Sequence, residues 1–219
     1  MTGFRRLASG GRVDRLKPLA FTYNGQNVHA LEGDSIASAL LASDQNIIGR
    51  SFKYHRPRGF LSAGLEEPNG LFTLGEGAET VPNVIGTTMK LKGGMKVKSQ
   101  NAWPSPTFDV MAINSLAAPL FTAGFYYKTF MGPTKRSWMF FEPIIRRAAG
   151  LGKATPDKGR ERYDTTNSFC DVLVIGSGPA GLAAALVAGR AGARVLLAEQ
   201  DSQLGGSLLS SKIESHEIW

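Results

Sequence analysis

Apolar residues alternate with polar ones on both sides of Asn24-Gly25, at Phe21 and Tyr23 before it and Val28 and Ala30 after it. A period of two predicts two strands. Asn-Gly tolerates the positive φ that a type I′ turn requires, so the two strands form a hairpin. From Ile36 the period changes, and Ile36, Ala39 and Leu40 fall at helical spacing. Asp34 or Ser35 stands where an N-cap belongs, and Asp44 to Asn46 mark the exit. A hairpin followed by a crossing helix opens a β-grasp domain, expected over residues 16–95 behind a basic arm over 1–15 that is either loose or ordered on assembly. Pro57 with Gly59, and then the stretch EEPNG from Glu66 to Gly70, mark two turns within it.

Farther along the pattern loses its period. Residues 96–165 hold several prolines, Trp103, Trp138 and the stretch FDVMAINSLAAPLFTAGFYYKTFM from Phe108 to Met131. Its apolar content invites a membrane reading, but Asp109, Asn114 and Lys128 are costly in hydrocarbon and Pro119 interrupts its middle. A packed helical hairpin is therefore expected, and no membrane partner. The run RRAAGLGKATPDKGRERY reads as a helix end passing into a solvated linker. The section as a whole is expected to be a connector that faces partners.

The last section, over 166–219, begins CDVLVIGSGPAGLAAALVAGRAGARVLLAEQDSQLGGSLL at Cys170. Asp171 to Ile175 is, after its leading acid, a continuous apolar run that ends at glycine, as a strand buried on both faces of a parallel sheet should be. Gly176, Gly178 and Gly181 follow as G-x-G-x-x-G, with Ser177, Pro179 and Ala180 between them. The first glycine permits the tight turn, the second lets a pyrophosphate approach the backbone, and the third lets helix pack on strand. A helix over Ala180 to Arg190 aims its positive end at that pyrophosphate. Reversal at Gly192 leads to a second strand, Arg194 to Ala198, with Glu199 at its end, 18 residues beyond Gly181. An acid there accepts hydrogen bonds from adenosine ribose hydroxyls and repels a 2′-phosphate, which favours NAD or FAD over NADP. Gly205-Gly206 completes the set of candidate cofactor-binding residues.

Composition then limits the partners. Of 219 residues, 42% are hydrophobic and 20% charged, as in a globular chain. The 25 Lys and Arg against 18 Asp and Glu leave a net charge of +7, which favours anionic partners. The stretch GRSFKYHRPRGFLSAG, from Gly49 to Gly64, concentrates that charge, interleaving Arg50, Lys53, His55, Arg56 and Arg58 with Phe52, Tyr54 and Phe60. It is also the footprint of phosphate grip and base stacking, so a nucleic-acid-binding module stays open beside an enzyme subunit. Cys170 is the one cysteine. It excludes a disulfide framework and any multi-cysteine site built from this chain alone, suits a reducing cytoplasm, and reads as a small buried residue. The three histidines are scattered and no nucleophile stands beside a base. No catalytic residue and no metal ligand is expected.

The order of GDSIASALLAS, GRSFKYHRPRGFLSAGLEEPNGL, YYKTFM, EPIIRRAAGLG and the Cys170 stretch resembles the N-terminal portion of the alpha subunit of heterotetrameric sarcosine oxidase. The resemblance covers nearly the whole chain. It implies a mixed α/β and α+β fold class: a β-grasp, 2Fe-2S ferredoxin-like domain without its cluster, followed by the start of a Rossmann-type dinucleotide-binding domain. With no cysteine from Gly49 to Gly64, the C-x4-C-x2-C ligand pattern of such ferredoxins is missing and no cluster can form there. It implies beta, gamma and delta partner subunits, FAD and FMN in the complex with amine oxidation in the beta subunit, and NAD (alternatively FAD) on this chain. It implies no nucleic-acid partner. The family's alpha subunit is several times longer, so the chain is expected to be a partial one. Its dinucleotide fold is then incomplete, and the tetrahydrofolate-binding half lies beyond it. Among Arg50, Lys53, Arg56 and Arg58, some are expected to face an acidic partner or a flavin phosphate.

Overall fold

A computed structural model describes residues 5–120, 136–157 and 164–209, with residues 124, 130, 132 and 134 besides. The chain divides into two compact units, Met1–Arg160 and Glu161–Trp219.

The first unit is built on β1 (Asp14–Tyr23) and β2 (Gln26–Glu32), antiparallel, with Phe21 opposite Val28. Asn24 and Gly25 join them with φ of 47° and 83°, both in the left-handed region that Asn-Gly supplies at low cost. Helix α1 (Ile36–Ala42) starts at Ser35, whose hydroxyl accepts from the Ser38 N–H while the Ser38 hydroxyl accepts from the Ser35 N–H. That reciprocal cap satisfies two N–H groups the first turn would leave open. Strands β5 (Leu71–Leu74), β6 (Val81–Ile85) and β7 (Lys96–Ser99) complete a five-stranded sheet in the order β2-β1-β7-β5-β6, with β7 parallel to β1 and antiparallel to β5. Phe21 and Val28 from the hairpin, Ile36 and Leu40 from α1, and Phe72 and Val97 from β5 and β7 form the core. Each of the larger side chains contributes roughly 2–3 kcal/mol by leaving water.

Several expectations change here. The sheet does not close at residue 95, because β7 beyond it is the central strand. The arm is not loose: the Arg6 guanidinium donates to both oxygens of the fully buried Asp34 carboxylate, at 3.0 and 2.6 Å. Asp34 also accepts from the Leu31 N–H and the Ser38 hydroxyl. A buried carboxylate needs such partners, so the ion pair fastens the arm to the start of α1. Pro57 lies in a strand rather than a turn, since β4 (Pro57–Arg58) pairs with β3 (Gly49–Arg50). From Phe108 on, the described residues form short 3₁₀ turns, Val110–Ser115 and Ala118–Leu120, in place of the first arm of a hairpin. Residues 121–123, 125–129 and 131 lie outside the described residues. Helix α2 (Ser137–Ala148) follows. Among the described residues no helix is long and apolar enough to cross a membrane.

The second unit is a parallel β-α-β arrangement. Strand β8 (Val172–Ile175) pairs in parallel with β9 (Val195–Ala198), and α3 (Pro179–Arg190) crosses between them after the glycine turn. At the open end Asp171 accepts from the Arg194 backbone N–H and guanidinium. Strand β8 is not buried on both faces, since Leu173 is 52% and Ile175 82% exposed. Among the described residues one helix packs on the two-stranded pair and covers a single face, and burial of both faces needs a second layer. Cys170 is half-buried rather than buried.

Candidate dinucleotide site

The end of β8 and the start of α3 meet at Gly176. Its N–H donates to the Ala198 carbonyl at 2.8 Å, which closes the turn onto the end of β9, and its φ of +93° is one that side chains disfavour. Gly178 is the N-cap of α3 with Pro179 at the first helical position, where the missing proline N–H costs nothing. No side chain caps this helix, so its leading N–H groups face outward with the positive end of the helix dipole. A Cβ at Gly181 would run into the Gly176 carbonyl oxygen, whereas among the described residues one at Gly176 or Gly178 would meet no atom within 4 Å. Gly181 is therefore a packing glycine, and Gly178 fronts open space where an anion can approach. These features fit a pyrophosphate.

Glu199 leaves β9 and turns back to this loop. Its Oε2 accepts from the Ser177 N–H at 2.6 Å and the Ser177 hydroxyl at 2.5 Å, and its Oε1 from the N–H groups of Gln200 and Asp201 at 2.8 and 3.0 Å. The Asp201 N–H, followed by the hydroxyl and N–H of Ser177, holds its carboxyl down to about 2. Partial burial, with the Glu199 charge beside it, raises Asp201. Ser177, fully buried, accepts from the Gly205 N–H on both its carbonyl and its hydroxyl. Gly206, at φ +52°, lies so close to Gly178 that an added Cβ would stand 3.0 Å from the Gly178 Cα. The structure thus brings Gly176, Ser177, Gly178, Pro179, Ala180, Gly181, Glu199, Gly205 and Gly206 together at one end of the β-α-β unit. Glu199 spends its acceptors on the chain itself.

The basic loop holds a constellation that sequence reasoning missed. Arg50, one of four cations of which some are expected to face an acidic partner or a flavin phosphate, is buried, and its guanidinium donates to the carbonyls of Pro106, His55 and Thr107 at 2.7, 3.1 and 2.9 Å. His55, at φ +50°, sets its Nδ1 2.6 Å from Oδ2 of Asp109, both side chains being buried. Oδ1 of Asp109 accepts from the N–H groups of Trp103 and Met111. Among the described residues the buried His55 Nε2 has no hydrogen-bond partner. The one signal in the sequence was an acid, Asp109, at the head of an apolar stretch. Lys53 and Arg56 stand 5.1 and 4.7 Å from the Tyr54 ring centre, and Arg56 and Arg58 are exposed. The buried Glu67 carboxylate gathers the N–H groups of Leu61, Ser62, Asn69 and Gly70 at 2.7 to 3.2 Å. Burial raises its carboxyl, but those four N–H groups outweigh it and leave it lowered. Among the described residues no group of His, Cys, Asp and Glu could hold a metal ion.

Comparison with known proteins extends these observations. Residues 16–102 match the family model of the 2Fe-2S iron-sulfur cluster binding domain, and residues 171–215 that of the FAD dependent oxidoreductases. Sarcosine oxidase subunit alpha of Rhizobium meliloti (strain 1021) is 55% identical over 94% of this chain and 21% of its own length. That of Corynebacterium sp. (strain U-96) is 34% identical over 91% of this chain and 16% of its own. The chain thus spans only between about a sixth and a fifth of the length of these curated relatives. The crystal structure of L-proline dehydrogenase from P. horikoshii aligns at a TM-score of 0.45 and 21% identity, covering 89% of this chain and 27% of that one. Across nearly its whole length the chain is similar to sarcosine oxidase alpha subunits, as its own motifs imply.

Proposed function

We propose that this chain is the N-terminal, nucleotide-binding part of the alpha subunit of a sarcosine oxidase complex. The observation that carries the proposal is 55% identity to such a subunit over 94% of the chain, in which the glycine turn and its terminal acid are in place. The complex oxidises sarcosine, with water and with dioxygen as the electron acceptor, to glycine, formaldehyde and hydrogen peroxide, or passes the one-carbon unit to tetrahydrofolate bound in a later part of the subunit. This chain contributes no catalytic residue to that reaction. The flavins of the complex supply the redox chemistry, with amine oxidation in the beta subunit, and gamma and delta subunits complete the assembly.

The chain's own part is binding. The Rossmann-type turn from Gly176 to Gly181 and the N–H groups at the start of α3 receive the pyrophosphate of NAD, with FAD as the alternative. Glu199 faces the adenosine ribose, and its negative charge disfavours a 2′-phosphate there. Another amine or opine dehydrogenase complex with the same subunit plan is the second reading, favoured by the match of residues 171–215 to FAD dependent oxidoreductases at large. The deciding experiment purifies the native complex, identifies the companion chains and the nucleotide released on denaturation, and assays sarcosine-dependent peroxide. Three companions, NAD and sarcosine turnover support the proposal. A complex that turns over a different amine and leaves sarcosine untouched sinks it in favour of the second reading.

A further inference from the structure

Ionised carboxylate offers about four acceptor positions, two on each oxygen. Glu199 has all four filled by donors of its own chain: Ser177 N–H and hydroxyl on Oε2, Gln200 and Asp201 N–H on Oε1. A ribose hydroxyl that is to donate to Glu199 must first displace one of them. Three of the four are backbone N–H groups, fixed by the glycine turn and by the end of β9. The fourth, the Ser177 hydroxyl, turns about a single torsion and can leave without any movement of the backbone. Its departure also leaves the Gly205 N–H paired, because the Gly205 N–H that donates to the hydroxyl at 3.1 Å donates as well to the Ser177 carbonyl at 3.0 Å.

From this geometry we propose that the Ser177 hydroxyl is a placeholder for the nucleotide's ribose hydroxyl: it satisfies Glu199 in the free protein and yields that position when the nucleotide binds. The inference rests on the dinucleotide reading and adds a residue that tunes affinity there. Before binding, the placeholder keeps the carboxylate ionised, oriented and satisfied. At binding, one hydrogen bond is exchanged for another, so the ribose hydroxyl adds little net affinity and the pyrophosphate adds more. A serine at 177 therefore makes the site a weaker and more readily exchanged one than alanine would.

The test measures equilibrium binding of ADP, the half common to NAD and FAD, and of 2′-deoxy-ADP and 3′-deoxy-ADP to the full-length subunit, as wild type and as Ser177→Ala. With the placeholder removed, one Glu199 position stands open. ADP is then expected to bind about five- to tenfold more tightly, the size of one hydrogen bond no longer exchanged. Loss of the critical ribose hydroxyl should cost little in the wild type and five- to tenfold in Ser177→Ala, which is a coupling between the two groups. Equal deoxy penalties in both proteins, or weaker ADP binding by Ser177→Ala, would overturn the placeholder while leaving the nucleotide site standing. Failure of the folded wild-type subunit to bind ADP at all would overturn the dinucleotide reading itself, and the placeholder with it. Circular dichroism of each variant separates these results from misfolding.

Discussion

At the scale of single residues, burial decides what the charged and polar groups do. Asp109 holds three groups at once, the His55 ring and the N–H groups of Trp103 and Met111, where no water reaches. Asp109→Ala would leave those donors unpaired and is expected to cost about 3 kcal/mol. Asp109→Asn keeps one acceptor oxygen and should cost less. Urea denaturation of the chain reads both, and equal losses would show that the pair is not what fastens residues 103–111 to the basic loop. Tyr23 gives a pH signature. Burial pushes its phenol from 10.0 up to about 12, so the folded state prefers the neutral form. The sign follows: stability from this group is complete below pH 10 and is lost as pH rises from there through about 12. Spectroscopic titration of the tyrosines should show one that ionises late, together with the onset of unfolding. A Tyr23→Phe protein should lose that late step. Neither effect was legible in the sequence, where Asp109 was only an awkward acid and Tyr23 one of several alternating positions. Both arise from contacts between residues far apart in the chain.

At the scale of elements, the local signals were read well and the boundaries less so. Asn24-Gly25 carries its hairpin and Ser35 its capping box because turn and cap chemistry reside in the residues themselves. The strand Lys96–Ser99 has only Val97 buried and alternates with lysine. Its place at the centre of the sheet comes from β1 and β5, which a local pattern cannot show. Within the glycine turn, sequence alone assigned three different duties, and the geometry makes two of them separable. Gly181→Ala sets a Cβ against the Gly176 carbonyl, a backbone atom that moves only if the turn does. Gly178→Ala sets one in open space at φ −65°, where any residue is comfortable. The first is expected to lower the thermal stability of the second unit and ADP affinity together. The second should leave stability within about 0.5 kcal/mol and still cut ADP affinity at least tenfold, because its methyl group fills the space a pyrophosphate needs. Calorimetry and ADP titration on the two variants check this, and an unchanged affinity in Gly178→Ala would remove the pyrophosphate from that position.

At the scale of the whole molecule, charge and apolar exposure both point outward. The net charge is +7, and Trp103, Phe108, Ile113 and Leu116 are more than half exposed in the segment after the sheet. Scattered apolar residues are ordinary on a surface, but four within 14 residues, beside a basic loop, make a patch of the kind that partners cover. Of the loop's cations Arg50 is spent internally, which leaves Arg56 and Arg58 as the exposed arginines for an anionic partner. Two readings of that surface make opposite forecasts. If it meets an acidic face of another subunit, Arg56→Glu with Arg58→Glu should slow assembly and weaken its dependence on salt, acting on the association rate more than on dissociation. If it grips nucleic acid, the unmodified chain should be retained on single strands with a steep salt slope, which the double reversal abolishes. The subunit reading carries the similarity to sarcosine oxidase alpha subunits with it, so the expected outcome is slower association with a flavin-bearing partner and no retention on nucleic acid. Light scattering of assembly at two salt concentrations, run beside a nucleic-acid retention assay, decides between them. Unchanged assembly kinetics in the double reversal would move the interface off the basic loop and onto the apolar segment from Trp103 to Leu116.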